Sequence, residues 1–323
     1  MITRCRDCSR TPFTIFHRSN NRQCLMVDHG RDIQFLNVEK AISVIQRVPM
    51  RNNILTTFND HALVSNRGFT LSHSFPCIET HPGSQGVNLE VDAREVESIA
   101  LLPFAEEFKG LDVIFIFGHD GNLLHRIIFG GNYPVELDEA FEPTPTAQPV
   151  LNQLQYYEKP IDLIGCKRIL DGWDSHYFSW HLEQVKRDQG RSRLRALRLL
   201  EGKRSSKIPL LHLPCLFEAI QNGGIPFMRI LCKGSWTHCD TSDVSKISTG
   251  DGYISISSSL GAFLLDELSL AECWHTEICD RGVRVSLIEL YSRCGENIAV
   301  FAPFKNFFLS QWLETTAQIC RQG

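Results

Sequence analysis

The sequence predicts an α+β fold made of a duplicated unit, each repeat a large antiparallel β-sheet with helices packed on one face. Three observations lead there. A strand, a glycine-centred turn and a second strand run from Leu111 through Gly121 to Phe129, and the pattern returns from Val285 through Gly295 to Phe301. A short helix leading through proline into a strand occurs at Val38-Glu39-Lys40-Ala41-Ile42 with Pro49-Met50-Arg51. It recurs at Phe217-Glu218-Ala219-Ile220 with Pro226-Phe227-Met228-Arg229. The offsets in numbering nearly agree, 174 from Gly121 to Gly295 and 178 from Met50 to Met228. A repeated period of this kind marks internal duplication, and the small difference is loop drift. Finally, 323 residues with 43% hydrophobic side chains suffice for two domain-sized cores.

On this reading residues 1–37 are an N-terminal extension, 38–142 the first repeat, 143–161 a linker and 162–323 the second repeat. Apolar Val38, Ala41, Ile42 and Ile45 at helical spacing predict a helix over 38–47. Strands follow at 54–58 and 62–64, separated by Asn59-Asp60. Residues 96–108 read as a helix that Pro103 kinks or divides. A hairpin comes next, with strands 111–117 and 123–129 joined by His119-Asp120-Gly121-Asn122. Pro143, Pro145 and Pro149 mark the linker. In the second repeat helices are expected at 175–188, capped by Asp174 or Ser175, at 193–200 and at 213–221, the last ended by Asn222-Gly223-Gly224. Seven strands then follow at 227–232, 236–239, 253–256, 263–265, 271–275, 283–291 and 298–301, with a closing helix at 307–319.

Charge and cysteine content narrow the function classes. With 33 Lys plus Arg against 37 Asp plus Glu, the formal charge is −4, unlike a protein that wraps nucleic acid. One basic stretch stands out, from Lys186 to Arg204; it reads as a solvated helix face or as the rim of a site for an anionic ligand. No apolar run reaches the length of a membrane span, roughly 18 residues, so no membrane insertion is expected. The start of the chain lacks the apolar run of a signal peptide. Twelve cysteines at irregular spacing in a long chain imply reduced thiols and a cytoplasmic location. Cys5-x-x-Cys8 with Cys24 and His29 or His17 offers four zinc ligands, but the second pair is poorly spaced and free thiols fit as well. The chain holds no phosphate loop, no His-Glu-x-x-His and no serine nucleophile elbow.

Several segments, taken in order, resemble the haem-transport and haem-degrading proteins of the HemS/ChuS/HmuS type. Trp173 precedes a His-containing helix. Arg193-Leu194-Arg195-Ala196-Leu197-Arg198-Leu199 resembles that family's Arg-x-Gln-Ala-Leu-Arg segment. Ile225-Pro226-Phe227-Met228, Trp236-Thr237-His238, residues 260–265, Trp274 and Ser286-Leu287-Ile288-Glu289-Leu290-Tyr291 follow in the family's order. In the first half Arg51-Asn52-Asn53, Phe115-Ile116-Phe117 and His125-Arg126 match. The likeness spans about 280 residues and rests on order and spacing, not on one signature. It implies two structural repeats and haem b as ligand, with a haem donor or acceptor protein as a further partner. The role implied is intracellular transfer or storage, or oxidative haem breakdown. Two departures matter. Asp112 stands where the family places an arginine over the distal face of haem, which favours binding over degradation. His275-Thr276-Glu277-Ile278 replaces the family's Val-Arg-Lys-Pro.

The family's axial histidine lies on the helix after the interdomain segment, and two residues compete for that place, His176 and His181. Five positions at about 100° each put them roughly 140° apart on a helix, so they cannot share a face. Phe178, His181, Leu182 and Val185 form the apolar stripe, placing His181 on the buried side and His176 in water. A neutral imidazole on either suits haem iron. His181 is therefore the expected iron ligand, with His176 the alternative. Haem also needs an apolar cavity and cations for its propionates. Phe178, Trp180, Phe263 and Trp274 are candidates to line it, though each equally suits an ordinary core. Arg193, with Arg191 and Arg198, is the candidate cation, and His238 and His275 are candidate distal groups. One site per chain is expected, because the first repeat has no equivalent His-containing helix.

Overall fold

The computed structural model describes residues 32–47, 53–59, 62–68, 70–71, 86–90, 93–119, 121–142, 163–187, 191–233, 236–250, 252–304 and 309–322. The Cys5/Cys8 segment, Met50, Arg51 and the linker lie outside them. The chain divides into two compact units, residues 1–56 with 92–157, and residues 57–91 with 158–323. Compact units and sequence repeats need not coincide, and here residues 57–91 pack with the C-terminal unit.

In the N-terminal unit, β1 (Gln34–Leu36) leads into α1 (Val38–Arg47), and the first three residues of β2 (Ile54–Phe58) also belong to it. Ala41, Ile42, Val44 and Ile45 of α1 are buried, as its helical spacing dictates. The segments β3 (Ala62–Arg67), β4 (Thr70–Leu71) and β5 (Gly86–Glu90) belong to the other unit. The chain then returns through the 3-10 turn Ala93–Glu95 to β6 (Val96–Ala105), β7 (Leu111–Gly118), β8 (Leu123–Ile128) and β9 (Phe141–Glu142). β8, β7, β6, β1 and β9 lie side by side in that order, all antiparallel. Residues 96–108, read from sequence as a helix, are instead strand β6 and a short 3-10 turn. Ile99, Ala100, Leu101 and Leu102 are all buried, so the polar–apolar alternation of a strand is missing and Pro103 sits in the bulged end.

The C-terminal unit adds α2 (Leu163–Gly172), α3 (Phe178–Arg187), α4 (Arg191–Leu199), β10 (Ser205–Ile208), α5 (Leu213–Asn222), β11 (Phe227–Lys233), β12 (Trp236–Ser242), β13 (Lys246–Gly250), β14 (Tyr253–Ser257), β15 (Gly261–Asp266), β16 (Leu270–Asp280), β17 (Val283–Ser292), β18 (Asn297–Pro303) and α6 (Leu309–Gln322). An eight-stranded sheet runs β10-β16-β17-β18-β11-β12-β5-β4, antiparallel except for β4 with β5. Helices cover both of its faces. α5 and α6 pack Leu216, Phe217, Ile220 and Trp312 on Phe227, Ile288 and Phe301. On the other face α2, α3 and α4 pack Ile169, Leu182 and Leu197 on Met228, Trp274 and Val300. This second cover is what positions the site, and α2 has no counterpart in the sequence reading.

The duplication extends to irregularities. The 3-10 turns Ala93–Glu95 and Glu267–Ser269 are related by the same offset as Gly121 and Gly295. Register shifts interrupt the first pairing at Val96/Ser98 and Leu270/Glu272, and the second at Ile116/Phe117 and Leu290/Tyr291, once more at that offset. Bulges are specified features of a ladder, so their repetition is a strong sign of common descent. The copies also exchange strands inside the C-terminal unit. β15 pairs with β3 (Gly261↔Asn66), and β5 pairs with β12 (Val87↔Asp240). Asn66 and Asp240 are equivalent positions of the two copies, as are Val87 and Gly261, so one register is the other under a two-fold exchange. On the pseudo-dyad the equivalent residues meet, with Asn66 Nδ2 donating to Asp240 Oδ2 at 2.8 Å.

Candidate functional site

The turn between α2 and α3 is pinned at three points. Trp173 Nε1 donates to the Glu277 carbonyl at 2.9 Å, and the Phe178 N–H donates to Asp280 Oδ1 at 3.0 Å. That carboxylate satisfies a donor at the start of α3, which the helix itself leaves open. Arg204 pairs with Asp174 at 3.0 Å. His176 stands on this fixed turn, exposed, with its ring stacked on Trp180 at 4.3 Å and 18° between planes. Neither of its ring nitrogens has a hydrogen-bond partner among the described residues. It borders a surface pocket of about 450 Å³ with Ile164, Lys167, Arg168, Asp171 and Ser175. Ile164 is 82% exposed, an apolar residue held out to water. Lys167 and Arg168 have no ion-pair partner among the described residues.

His181 lies behind this surface with no exposure at all. Arg193 Nη1 donates to its Nδ1 at 3.1 Å, and its Nε2 lies 3.2 Å from the Trp173 carbonyl. A guanidinium only donates and a carbonyl only accepts, so the proton is on Nε2 and the Nδ1 lone pair is taken. Burial, followed by the charge of Arg193, pushes the His181 imidazole down to about 2, and it is neutral. Arg193 continues inward, with Nε and Nη2 each 2.7 Å from a carboxylate oxygen of Glu289. Thr276 and Tyr291 hydroxyls add bonds of 2.7 Å to the same carboxylate. Burial alone would raise the Glu289 carboxyl, but Arg193 and these hydroxyls hold it below the usual carboxylate range. The Arg193 guanidinium also lies 4.8 Å over Trp173.

Most of the residues singled out from sequence therefore sit away from water. Phe178, Phe263 and Trp274 are core side chains, as their apolar character allows. Arg193 cannot meet a propionate, because its charge is already spent on Glu289. Arg198, exposed, pairs with Glu272, and Arg191 approaches Glu296 at 3.9 Å. His238 is buried in a second network, accepting from Thr57 Oγ1 at 2.6 Å and donating from Nε2 to Asn66 Oδ1 at 3.0 Å. The amide of Asn66 is oriented by its bond to Asp240, which settles those roles. Burial, then Arg229, push His238 down to about 3. His275 is buried on β16 and lowered by burial. Of the expected set only His176 borders the pocket, with Trp180 stacked against its ring. Ile164, Lys167 and Arg168 were missed; the Gly172, His176, Trp180 spacing was the available signal.

Asp112 has a job of its own in the N-terminal unit. Its oxygens accept the Phe104 and Tyr133 backbone N–H groups, each at 3.0 Å. Phe104 has φ +51°, a left-handed conformation rare for an aromatic residue, and the carboxylate holds that bulge.

No family model matches this chain, and no curated protein matches it in sequence. Solved structures do. Apo-PhuS, a haem-binding protein from Pseudomonas aeruginosa, has a TM-score of 0.70 at 17% identity, covering 91% of this chain and 90% of its own. ChuS, an E. coli haem oxygenase, has a TM-score of 0.72 at 16% identity, covering 94% of each chain. The chain has the fold of PhuS and ChuS. At this identity, likeness to PhuS and ChuS establishes architecture, and the chemistry must be argued from the side chains here. The likeness to PhuS and ChuS runs over nearly the full length of this chain. No helix among the described residues is long and apolar enough to cross a membrane.

Proposed function

We propose that this chain binds haem b on the C-terminal unit, with His176 as the axial ligand, and transfers or stores it within a reducing, cytoplasmic compartment. One observation carries the choice of ligand: among the described residues nothing engages the ring nitrogens of His176, which borders a pocket, whereas both nitrogens of His181 are engaged in the core. The pocket's two cations outnumber its one carboxylate, Asp171, which favours an anionic ligand. Lys167 and Arg168 are cations suited to two propionates, and Ile164 offers apolar surface for the ring edge. PhuS and ChuS are respectively a haem-binding protein and a haem oxygenase, which supports the ligand class.

Haem, once bound, supplies the colour and the redox chemistry of its iron. The chain supplies an imidazole on a pinned turn, cations to orient the propionates, and an apolar edge. Transfer is favoured over degradation by Asp112, which stands at the position where the resembled family carries a distal arginine. Its two oxygens are occupied by backbone N–H groups. Twelve cysteines at irregular spacing in a long chain support a reducing location.

Haemin titration of the purified apoprotein, read by visible absorption, tests this. Saturation near one haem per chain is expected, with the coordinated Soret band lost in His176→Ala and kept in His181→Asn. Loss in His181→Asn alone, with the variant folded, moves the ligand to His181. A folded wild type with no saturable spectrum sinks haem binding and leaves an interaction scaffold. Incubation of the complex with a reductant and oxygen separates transfer from breakdown: a persistent Soret band is expected, and its conversion to a bile-pigment spectrum overturns the transfer role.

A further inference from the structure

We propose that Trp180 is a positioning residue for His176, and that Gly172 is glycine so that the two rings can stack. The proposal rests on His176 being the haem ligand. An exposed side chain on a turn normally samples several rotamers, and fixing one costs conformational entropy at the moment of binding. Here the imidazole already lies flat on the indole at 4.3 Å. Trp180 is in turn fixed by its own backbone on α3 and by an edge contact with the ring of His181 at 5.1 Å.

Gly172 closes the arrangement from the other side. A Cβ added there would come 2.8 Å from His176 Cδ2 and 3.0 and 3.1 Å from the Trp180 ring carbons Cη2 and Cζ2. The first of these is closer than real Cβ atoms come, so a side chain at the end of α2 would push the exposed His176 ring from its place on the indole. Gly172 is not among the glycines with positive φ, so its backbone does not itself call for glycine. Two independent features, an aromatic four residues after the histidine and a glycine four before it, serve one placement. Arg193, itself paired with Glu289, holds His181, the residue after Trp180, and so anchors α3 and sets the imidazole's orientation from the core outward.

The test compares wild type with Trp180→Leu, Trp180→Phe and Gly172→Ala. In the apoprotein, NMR of the His176 ring protons reads the stack directly, without haem. The indole ring current should displace them upfield, and Trp180→Leu and Gly172→Ala should both remove the displacement. In the haemin complex, holding one side chain in place is worth about 1 kcal/mol, so dissociation into an excess of a haem-scavenging protein should quicken roughly fivefold. The low-spin electron paramagnetic resonance signals should broaden as the imidazole plane becomes variable. Trp180→Phe should restore most of both effects, which a purely structural role would not require. If Trp180→Leu does not fold, Gly172→Ala probes the same stack with both rings intact. Wild-type dissociation rates and spectra in Trp180→Leu and Gly172→Ala overturn the positioning role while haem binding stands. A wild type that takes no haemin overturns both.

Discussion

Arg193 and Glu289 face each other in a two-pronged ion pair with no exposure on either side, joining α4 to β17. In the first copy the position equivalent to Glu289 is Phe115, also fully buried. One copy thus solves the same core position with a ring and the other with a charge. Removing one member of such a pair strands the other in the interior. Arg193→Met is expected to cost about 3–5 kcal/mol of stability, and Arg193→Met with Glu289→Leu to recover most of it. Urea unfolding of the two variants checks this; equal losses would show that the pair holds α4 by something other than charge.

Acid sensitivity should come from two buried neutral imidazoles. His181 is pushed down to about 2 and His238 to about 3, against an ordinary value of 6.5. Below 6.5 the unfolded chain gains protons that the folded chain refuses. Their stabilisation is therefore fully present above 6.5 and declines as pH falls toward the folded values. Each contributes a slope of about 1.4 kcal/mol per pH unit in that window. Between pH 5 and 6, His238→Asn should flatten the slope of unfolding free energy against pH by about one proton. An unchanged slope would mean that the ring is protonated in the fold.

Asp112 holds two backbone donors, so its loss should be felt as stability rather than as binding. Asp112→Ala is expected to cost about 2 kcal/mol, since both N–H groups lose their acceptor. Asp112→Arg should be worse, because a cation cannot accept either bond. Thermal melts with haemin titration alongside check the claim; an Asp112→Arg protein of wild-type stability would contradict it.

Gly261 begins β15 with no room for a side chain. A Cβ there would sit 1.9 Å from the Ser65 carbonyl oxygen. Gly261→Ala is expected to destabilise by about 3 kcal/mol or to separate β15 from β3. Gly131→Ala, which meets nothing within 4 Å, is the control and should be neutral. Amide exchange localised to residues 62–67 would report the separation.

What could be read in advance followed from period and punctuation. α1, the Gly121 hairpin and α5 were legible because each has one wet face or a turn residue that fixes its end. β6 was not, since burial on both sides erased the alternation that marks a strand. The helical wheel placed His181 inward, and it is buried; His176, expected near the start of that helix, stands exposed on the turn before Phe178. The proposal moves the iron ligand from His181 to His176 because of what surrounds the inward ring. An inward histidine on a packed helix meets neighbours that use its nitrogens, and no sequence pattern shows that Arg193 and the Trp173 carbonyl would arrive from twelve and eight residues away. The cations of α2 were not legible because Lys167 and Arg168 adjoin the proline-rich linker and carry no motif that sets them apart from a solvated helix face.

The matched registers of β3 with β15 and β5 with β12 bear on ancestry. A polypeptide carrying a single copy would expose an edge that only its twin could complete, so it would have existed as an interlocked pair held by mass action. Joining the copies in one chain made that partner permanent at any dilution. It also released the halves from being identical. One strand position could then become Phe115 and its counterpart Glu289.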